Sequence, residues 1–180
     1  IDACLVGSEM CIRDSGNVTN FEELTEKHFR NRGTRLNSSC DLEALLFVFA
    51  RALQESINGS GRQVEVEDVF HAVGRVYEEV KGAYSVVASI ADLGMVAFRD
   101  PYGIKPICMG AKTTEEGEWH AFASESVVLD INGYERTTDI AAGEAVFIDQ
   151  ERNITRKQIG TQPHRPCIFE LVYFARPDSF

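Results

Sequence analysis

The chain has 180 residues, 44% of them apolar, and a formal net charge of −10 at pH 7. That length suits one domain with a substantial core, and neither a run of eighteen apolar residues nor a cleavable leader marks a membrane or secreted protein. The carboxylates are scattered rather than gathered in a tail, so the charge opposes attraction to phosphate backbones and excludes nucleic acid as a partner; the expectation is a soluble, cytoplasmic protein.

Three amphipathic helices come first. Asn20 is placed to cap a helix through Phe21, Leu24 and Phe29, with Glu23 three residues later as in a capping box. Asp41 to Glu55 carries Leu45, Leu46, Phe49 and Leu53 on one helical face, and Val66 to Val80 repeats the pattern with Val69, Phe70, Val73, Val76 and Tyr77. The Gly59-Ser60-Gly61 stretch reads as the loop between them.

After Gly82 the texture changes to short runs rich in Val, Ile, Ala and Phe, which predict strands. These are Ala83 to Ile90, Met95 to Arg99, Ile107 to Ala111, His120 to Ala123, Glu144 to Ile148 and Ile154 to Gln158. Asp92-Leu93-Gly94 is a natural hairpin turn between the first two, so antiparallel pairing is expected. Helices followed by consecutive strands predict an α+β layered domain. Ile159 to Pro166 reads as a segment leading out of the domain, and the apolar run Ile168 to Ala175 has little left to pack against.

Residue types alone supply no catalytic set. The five cysteines form no CxxC pair and read as buried thiols of a reducing compartment, and the four histidines are not at metal-ligand spacing. A nucleophile elbow, a phosphate loop and a dinucleotide fingerprint are all missing.

Five stretches carry the reading further. They are Gly16-Asn17-Val18-Thr19-Asn20; Asn37-Ser38-Ser39-Cys40-Asp41-Leu42-Glu43; Gly82-Ala83-Tyr84-Ser85 continuing to Arg99-Asp100-Pro101-Tyr102-Gly103-Ile104-Lys105-Pro106; Ala123-Ser124-Glu125-Ser126; and Cys167-Ile168-Phe169-Glu170-Leu171-Val172-Tyr173-Phe174-Ala175-Arg176-Pro177-Asp178-Ser179. In this order they resemble the glutamine phosphoribosylpyrophosphate amidotransferases. The Arg-Asp-Pro-x-Gly and Gly-Asn elements resemble class II glutaminases in general, whereas the last stretch resembles the phosphoribosyl enzymes in particular.

The resemblance implies an incomplete N-terminal-nucleophile fold, a four-layer α/β/β/α sandwich with antiparallel sheets. It implies that residues 16–166 are the central and C-terminal part of a glutaminase domain and that 167–180 begin the passage toward a phosphoribosyltransferase domain. In such enzymes an N-terminal cysteine attacks the glutamine amide with its own amine as base, and an asparagine and a glycine N–H hold the oxyanion. Carried over by position, the oxyanion glycine is Gly16, and Asp41 holds the α-ammonium group of glutamine. From residue type alone, Gly16 reads as a turn glycine and Asp41 as an N-cap.

The departures are as informative. Asp14 and Ser15 stand where the family has a His-Asn pair before Gly16, and too few residues precede them for the nucleophile strand and the arginine that grips the substrate carboxylate. Cys4 is too close to Gly16 to be that nucleophile, and residues 1–15 read as a non-native leader. The 180 residues alone are therefore expected to be inactive. Cys167 matches a position that ligates a 4Fe-4S cluster in some members, with its other ligands beyond this stretch.

Mg2+ is implied for the phosphoribosyltransferase domain, and no cofactor for the part in hand. Implied partners are glutamine, phosphoribosyl pyrophosphate, purine nucleotide inhibitors and further copies of the chain. The rival readings are another class II amidotransferase and a noncatalytic domain that binds glutamine or a partner.

Overall fold

The computed structural model describes residues 4–5, 10–29, 36, 40–57, 62–175 and 177–178. The Asn37-Ser38-Ser39 and Gly59-Ser60-Gly61 stretches, with Arg176 and Ser179, lie outside them. Four helices, nine strands and a final π-helical turn are formed by the described residues. In chain order they are β1 (Cys4–Leu5), β2 (Met10–Val18), α1 (Phe21–His28), α2 (Asp41–Ile57), α3 (Val66–Glu79), β3 (Gly82–Ile90), β4 (Gly94–Arg99), β5 (Cys108–Thr114), β6 (Gly117–Ala123), α4 (Ser126–Ile131), β7 (Glu135–Asp139), β8 (Glu144–Asp149), β9 (Ile154–Gln158) and the π turn Glu170–Phe174.

The strands form two antiparallel sheets, one of six in the order β1-β2-β3-β4-β8-β9 and one of three in the order β6-β5-β7. Side-chain alternation along the six-stranded sheet divides the interior in two. Val86, Ala88, Val96, Phe98 and Phe147 join Leu45, Phe49, Val69 and Val73 of α2 and α3 in one core. Ala97, Val146 and Ile148, on the opposite face, meet Ile107, Met109 and Ile140 in a second core. On the three-stranded sheet Gly110 faces the other way from Met109, and a Cβ added there would lie 3.1 Å from Leu129 of α4. The layers therefore run helices α1–α3, large sheet, small sheet, α4.

The three predicted helices form, with one difference in capping. Asn20 makes no cap hydrogen bond to α1. Its side chain instead accepts from Lys81 N–H at 2.8 Å and donates to the Glu79 carbonyl at 2.9 Å, fastening α1 to the α3–β3 junction. The capping box that does form is Glu65 with Asp68 at the start of α3.

A charged network joins the same three helices. His28 is 1% exposed; its Nδ1 accepts from Arg51 Nη1 at 2.5 Å and its Nε2 lies 2.9 Å from Glu79 Oε2. Lys27 and Arg75 also contact Glu79, at 2.9 and 2.8 Å. Burial raises the Glu79 carboxyl pKa, but the hydrogen bonds and charges of Lys27, Arg51 and His28 outweigh it and bring the group down to about 2. Burial and the Arg51 charge hold His28 below its ordinary value, with Glu79 opposing.

Candidate functional site

The site is built on β2, which runs without a break from Met10 to Val18 against the whole of β3. Gly16 lies opposite Tyr84, where a Cβ would sit 2.2 Å from the Ala83 carbonyl oxygen and 2.8 Å from Tyr84 Cα. Only glycine allows this approach of the two strands. Gly16 is therefore a mid-strand residue, and the turn-glycine alternative does not describe it.

Backbone direction along β2 follows from its neighbours. Just past the strand, Thr19 N–H donates to the Lys81 carbonyl at 2.8 Å, on the β3 side. Tyr84, opposite Gly16, gives its carbonyl to Asp100 N–H at 2.8 Å, on the far side of β3. Backbone groups alternate in an antiparallel pair, so Gly16 and Val18 point their N–H groups away from β3. Among the described residues β1 covers that edge only at Cys11 and Ile12.

Asp41 reaches the same edge. It is the first residue of α2, and its Oδ2 accepts from Val18 N–H at 2.5 Å. The N-cap alternative is thus replaced by a helix-to-strand tie. Gly16 and Asp41 are brought to one strand edge, with the outward-pointing Gly16 amide and the carboxylate two residues apart along it. An anionic oxygen suits the first and an ammonium the second.

Ser15 and Asn17 face the opposite side of the sheet. Ser15 lines a cavity of about 510 Å³, together with Arg99, Lys105, Glu125, Cys167 and Glu170 among others. Asn17 lines a neighbouring hollow of about 340 Å³ with Tyr102 and Arg165, and Ile104 borders both. Cys167 is half-buried and lies on this cavity, apart from the Gly16–Asp41 edge. No group of three or more His, Cys, Asp or Glu side chains among the described residues is placed to hold a metal. Cys167 forms part of the cavity wall.

The Arg-Asp-Pro-Tyr-Gly stretch shapes that cavity. Asp100 is fully buried and its carboxylate accepts from the N–H groups of Tyr102, Ile104 and Lys105 at 2.9 to 3.0 Å. Arg99 donates to the carbonyls of Gly103, Lys105 and Ile140. Burial pulls the Arg99 pKa down, with Asp100 and Asp139 opposing. Lys105 is thereby aimed at Glu170, 2.6 Å away. The sequence signals this loop by its motif and gives no sign of the Lys105–Glu170 pair.

A sequence profile of the glutamine amidotransferase domain family matches residues 5–130. The chain is 42% identical over 166 residues to the amidophosphoribosyltransferase of Pasteurella multocida, covering 92% of this chain and 32% of that one. The amidophosphoribosyltransferase of Escherichia coli is 41% identical, with 92% and 33% covered. That of Pyrococcus horikoshii is 33% identical, with 99% and 35% covered. The chain spans about a third of the length of these relatives. Among solved structures it is similar to the allosteric regulatory enzyme of purine biosynthesis, with a TM-score of 0.76, 22% identity, and 98% of this chain and 34% of that one covered. The glutamine phosphoribosylpyrophosphate amidotransferase of B. subtilis, complexed with ADP and GMP, superposes with a TM-score of 0.74 at 22% identity, covering 98% and 35%. These likenesses establish the N-terminal-nucleophile fold.

Proposed function

The chain belongs to the glutamine amidotransferase domain family, and we propose that it is the glutamine-binding part of an amidophosphoribosyltransferase. That enzyme turns glutamine, phosphoribosyl pyrophosphate and water into 5-phosphoribosylamine, glutamate and pyrophosphate. The carrying observation is the β2 edge, where Gly16 N–H and the Asp41 carboxylate stand on the same side of one strand.

In this reading Asp41 receives the α-ammonium of glutamine and Gly16 N–H donates to the oxygen that becomes negative when the amide is attacked. Donors fixed before the charge develops cost nothing to reorganise, and losing one such donor typically slows a reaction ~10²–10³-fold. The attacking cysteine, with its free amine, is the N-terminal residue of the mature enzyme. Ser15 in place of the family's asparagine leaves the Gly16 N–H as the oxyanion donor of this chain. The fold provides a preorganised support for that donor, because β2 is held along its length by β3.

Ammonia passes from this half to the phosphoribosyl half, where Mg2+ and phosphoribosyl pyrophosphate belong. Residues 167–180 begin the connection in this reading. Feedback by purine nucleotides and assembly of several copies accompany this reading, as does a cytoplasmic location; among the described residues no helix is long and apolar enough to cross a membrane.

Ser15 also favours one second reading, a glutamine-binding domain without hydrolysis. Calorimetric titration of glutamine, beside an assay of ammonia release, separates the two. Binding with turnover in the full-length enzyme supports the first, binding without turnover there supports the second, and absence of binding removes both.

A further inference from the structure

Beside Ser124, Glu125, Ser126 and Asp139 of the small-sheet side, the cavity of about 510 Å³ has two further walls. One is the sheet and the loop after β4, contributing Ser15, Arg99 and Ile107. The other is the segment that follows β9 and runs back across that loop. Along it His164 Nε2 lies 3.3 Å from the Gly103 carbonyl, Arg165 N–H donates to the Tyr102 carbonyl at 2.8 Å, and Glu170 meets Lys105 at 2.6 Å.

The strength of these attachments is uneven. Ile168, Phe169, Val172 and Tyr173 are 65% to 79% exposed, so contacts among the described residues bury little of the segment's apolar surface. The Lys105 and Glu170 side chains are only 20% and 13% exposed. Lys105 Nζ also lies 5.4 Å from the centre of the Phe174 ring. Removing one partner of such a sheltered pair leaves the other charge stranded, which costs far more than losing an exposed pair.

The π turn serves this contact. Ala175 N–H donates to the Glu170 carbonyl at 2.8 Å, five residues back, while Glu170 N–H donates to the Cys167 carbonyl at 3.1 Å. Glu170 and Phe174 both reach Lys105, and Cys167 is tied by its backbone to the residue that makes the ion pair.

We propose that residues 164–175 form a strap over the cavity that Ser15 lines, and that Lys105 and Glu170 are the latch that holds it closed. The latch stands on the geometry of the strap and loop, whatever reaction the cavity serves. Lys105 and Glu170 are positioning residues that set access to the cavity.

The test uses iodoacetamide and reads alkylation of Cys167 against Cys40 by peptide mass spectrometry. Both thiols are half-buried, and Cys40 lies away from the strap at the start of α2. Glu170→Gln and Lys105→Met should each raise the Cys167 rate roughly tenfold while Cys40 keeps its own, because the opening is local. The charge-exchanged double variant, Lys105→Glu with Glu170→Lys, should return the rate to within about threefold of the original. An unchanged Cys167 rate in the single variants, a double variant as fast as the singles, or acceleration of Cys40 together with Cys167 would each overturn the latch.

Discussion

The carboxylate of Asp41 and the backbone N–H of Val18 meet at 2.5 Å, joining the first residue of α2 to the last residue of β2. The bond lies beside the amide of Gly16, so one aspartate both fixes the strand end and presents charge at the strand edge. These two roles separate by substitution. Asp41→Asn keeps an acceptor for Val18 N–H and removes the charge; it should weaken glutamine binding at least ~10-fold with little loss of stability, since charge-assisted bonds are roughly twice as strong as neutral ones. Asp41→Ala should lose the same affinity and destabilise by a further ~1–3 kcal/mol. Glutamine titration and urea denaturation of both variants check the separation. Equal affinity in Asp41→Asn and the unchanged protein would remove the ammonium role.

Gly16→Ala should be among the most damaging single-methyl additions in this chain. The new Cβ meets backbone at 2.2 and 2.8 Å, with no flexible side chain to yield. Strands β2 and β3 would have to part, at a cost of ~3 kcal/mol or more. Denaturant midpoints measure this. A midpoint within 0.5 kcal/mol of the original, on the ordinary scale of surface changes, would show that the strands approach less closely than described.

Acid should unfold the helical layer in two steps. His28 is held below its ordinary 6.5, so the unfolded chain takes up that proton first. Its contribution is complete above pH 6.5 and declines as pH falls below that value. Glu79 falls from 4.5 to about 2 on folding, so its contribution is complete above 4.5 and is lost between there and about 2. The second loss is on the order of 3 kcal/mol. Stability curves taken from pH 8 to pH 2.5 should show both declines, and Glu79→Gln should abolish the lower one. A flat profile between pH 6.5 and 5 in the unchanged protein would contradict a buried His28 held below its ordinary value.

Asp100→Ala should destabilise by roughly 3 kcal/mol or more, because three buried N–H groups lose one shared acceptor. Asp100→Asn keeps the shape and should cost less. Hydrogen exchange of the Tyr102, Ile104 and Lys105 amides reports the change residue by residue. Protection that persists in Asp100→Ala would mean the loop is held without the Asp100 carboxylate.

How much of this was legible beforehand depends on the element. The periodic apolar positions of α2 and α3 named those helices within a few residues, since burial of one face fixes the period. β3, β4, β8 and β9 were equally plain. β2 was not, because residues 10–15 read as foreign to the domain and Gly16-Asn17 looks like a turn; what makes it a strand is the length of β3 beside it, a long-range cause. β7 and α4 were missed for a related reason. Glu135 to Asp139 has no apolar alternation, and the six residues of α4 are too few to show a period.

For the site, residue types gave Gly16 and Asp41 only through family likeness. That the two share a strand edge depends on backbone direction, which no side-chain pattern encodes.

The Asp100 carboxylate organises its loop entirely from within, using amides two, four and five residues further on. A turn closed on itself in this way travels as a unit. Its spelling in another genome would forecast a cavity rim of this shape while remaining silent about whether anything is hydrolysed there, so the motif serves as an address for architecture and a poor guide to enzymology.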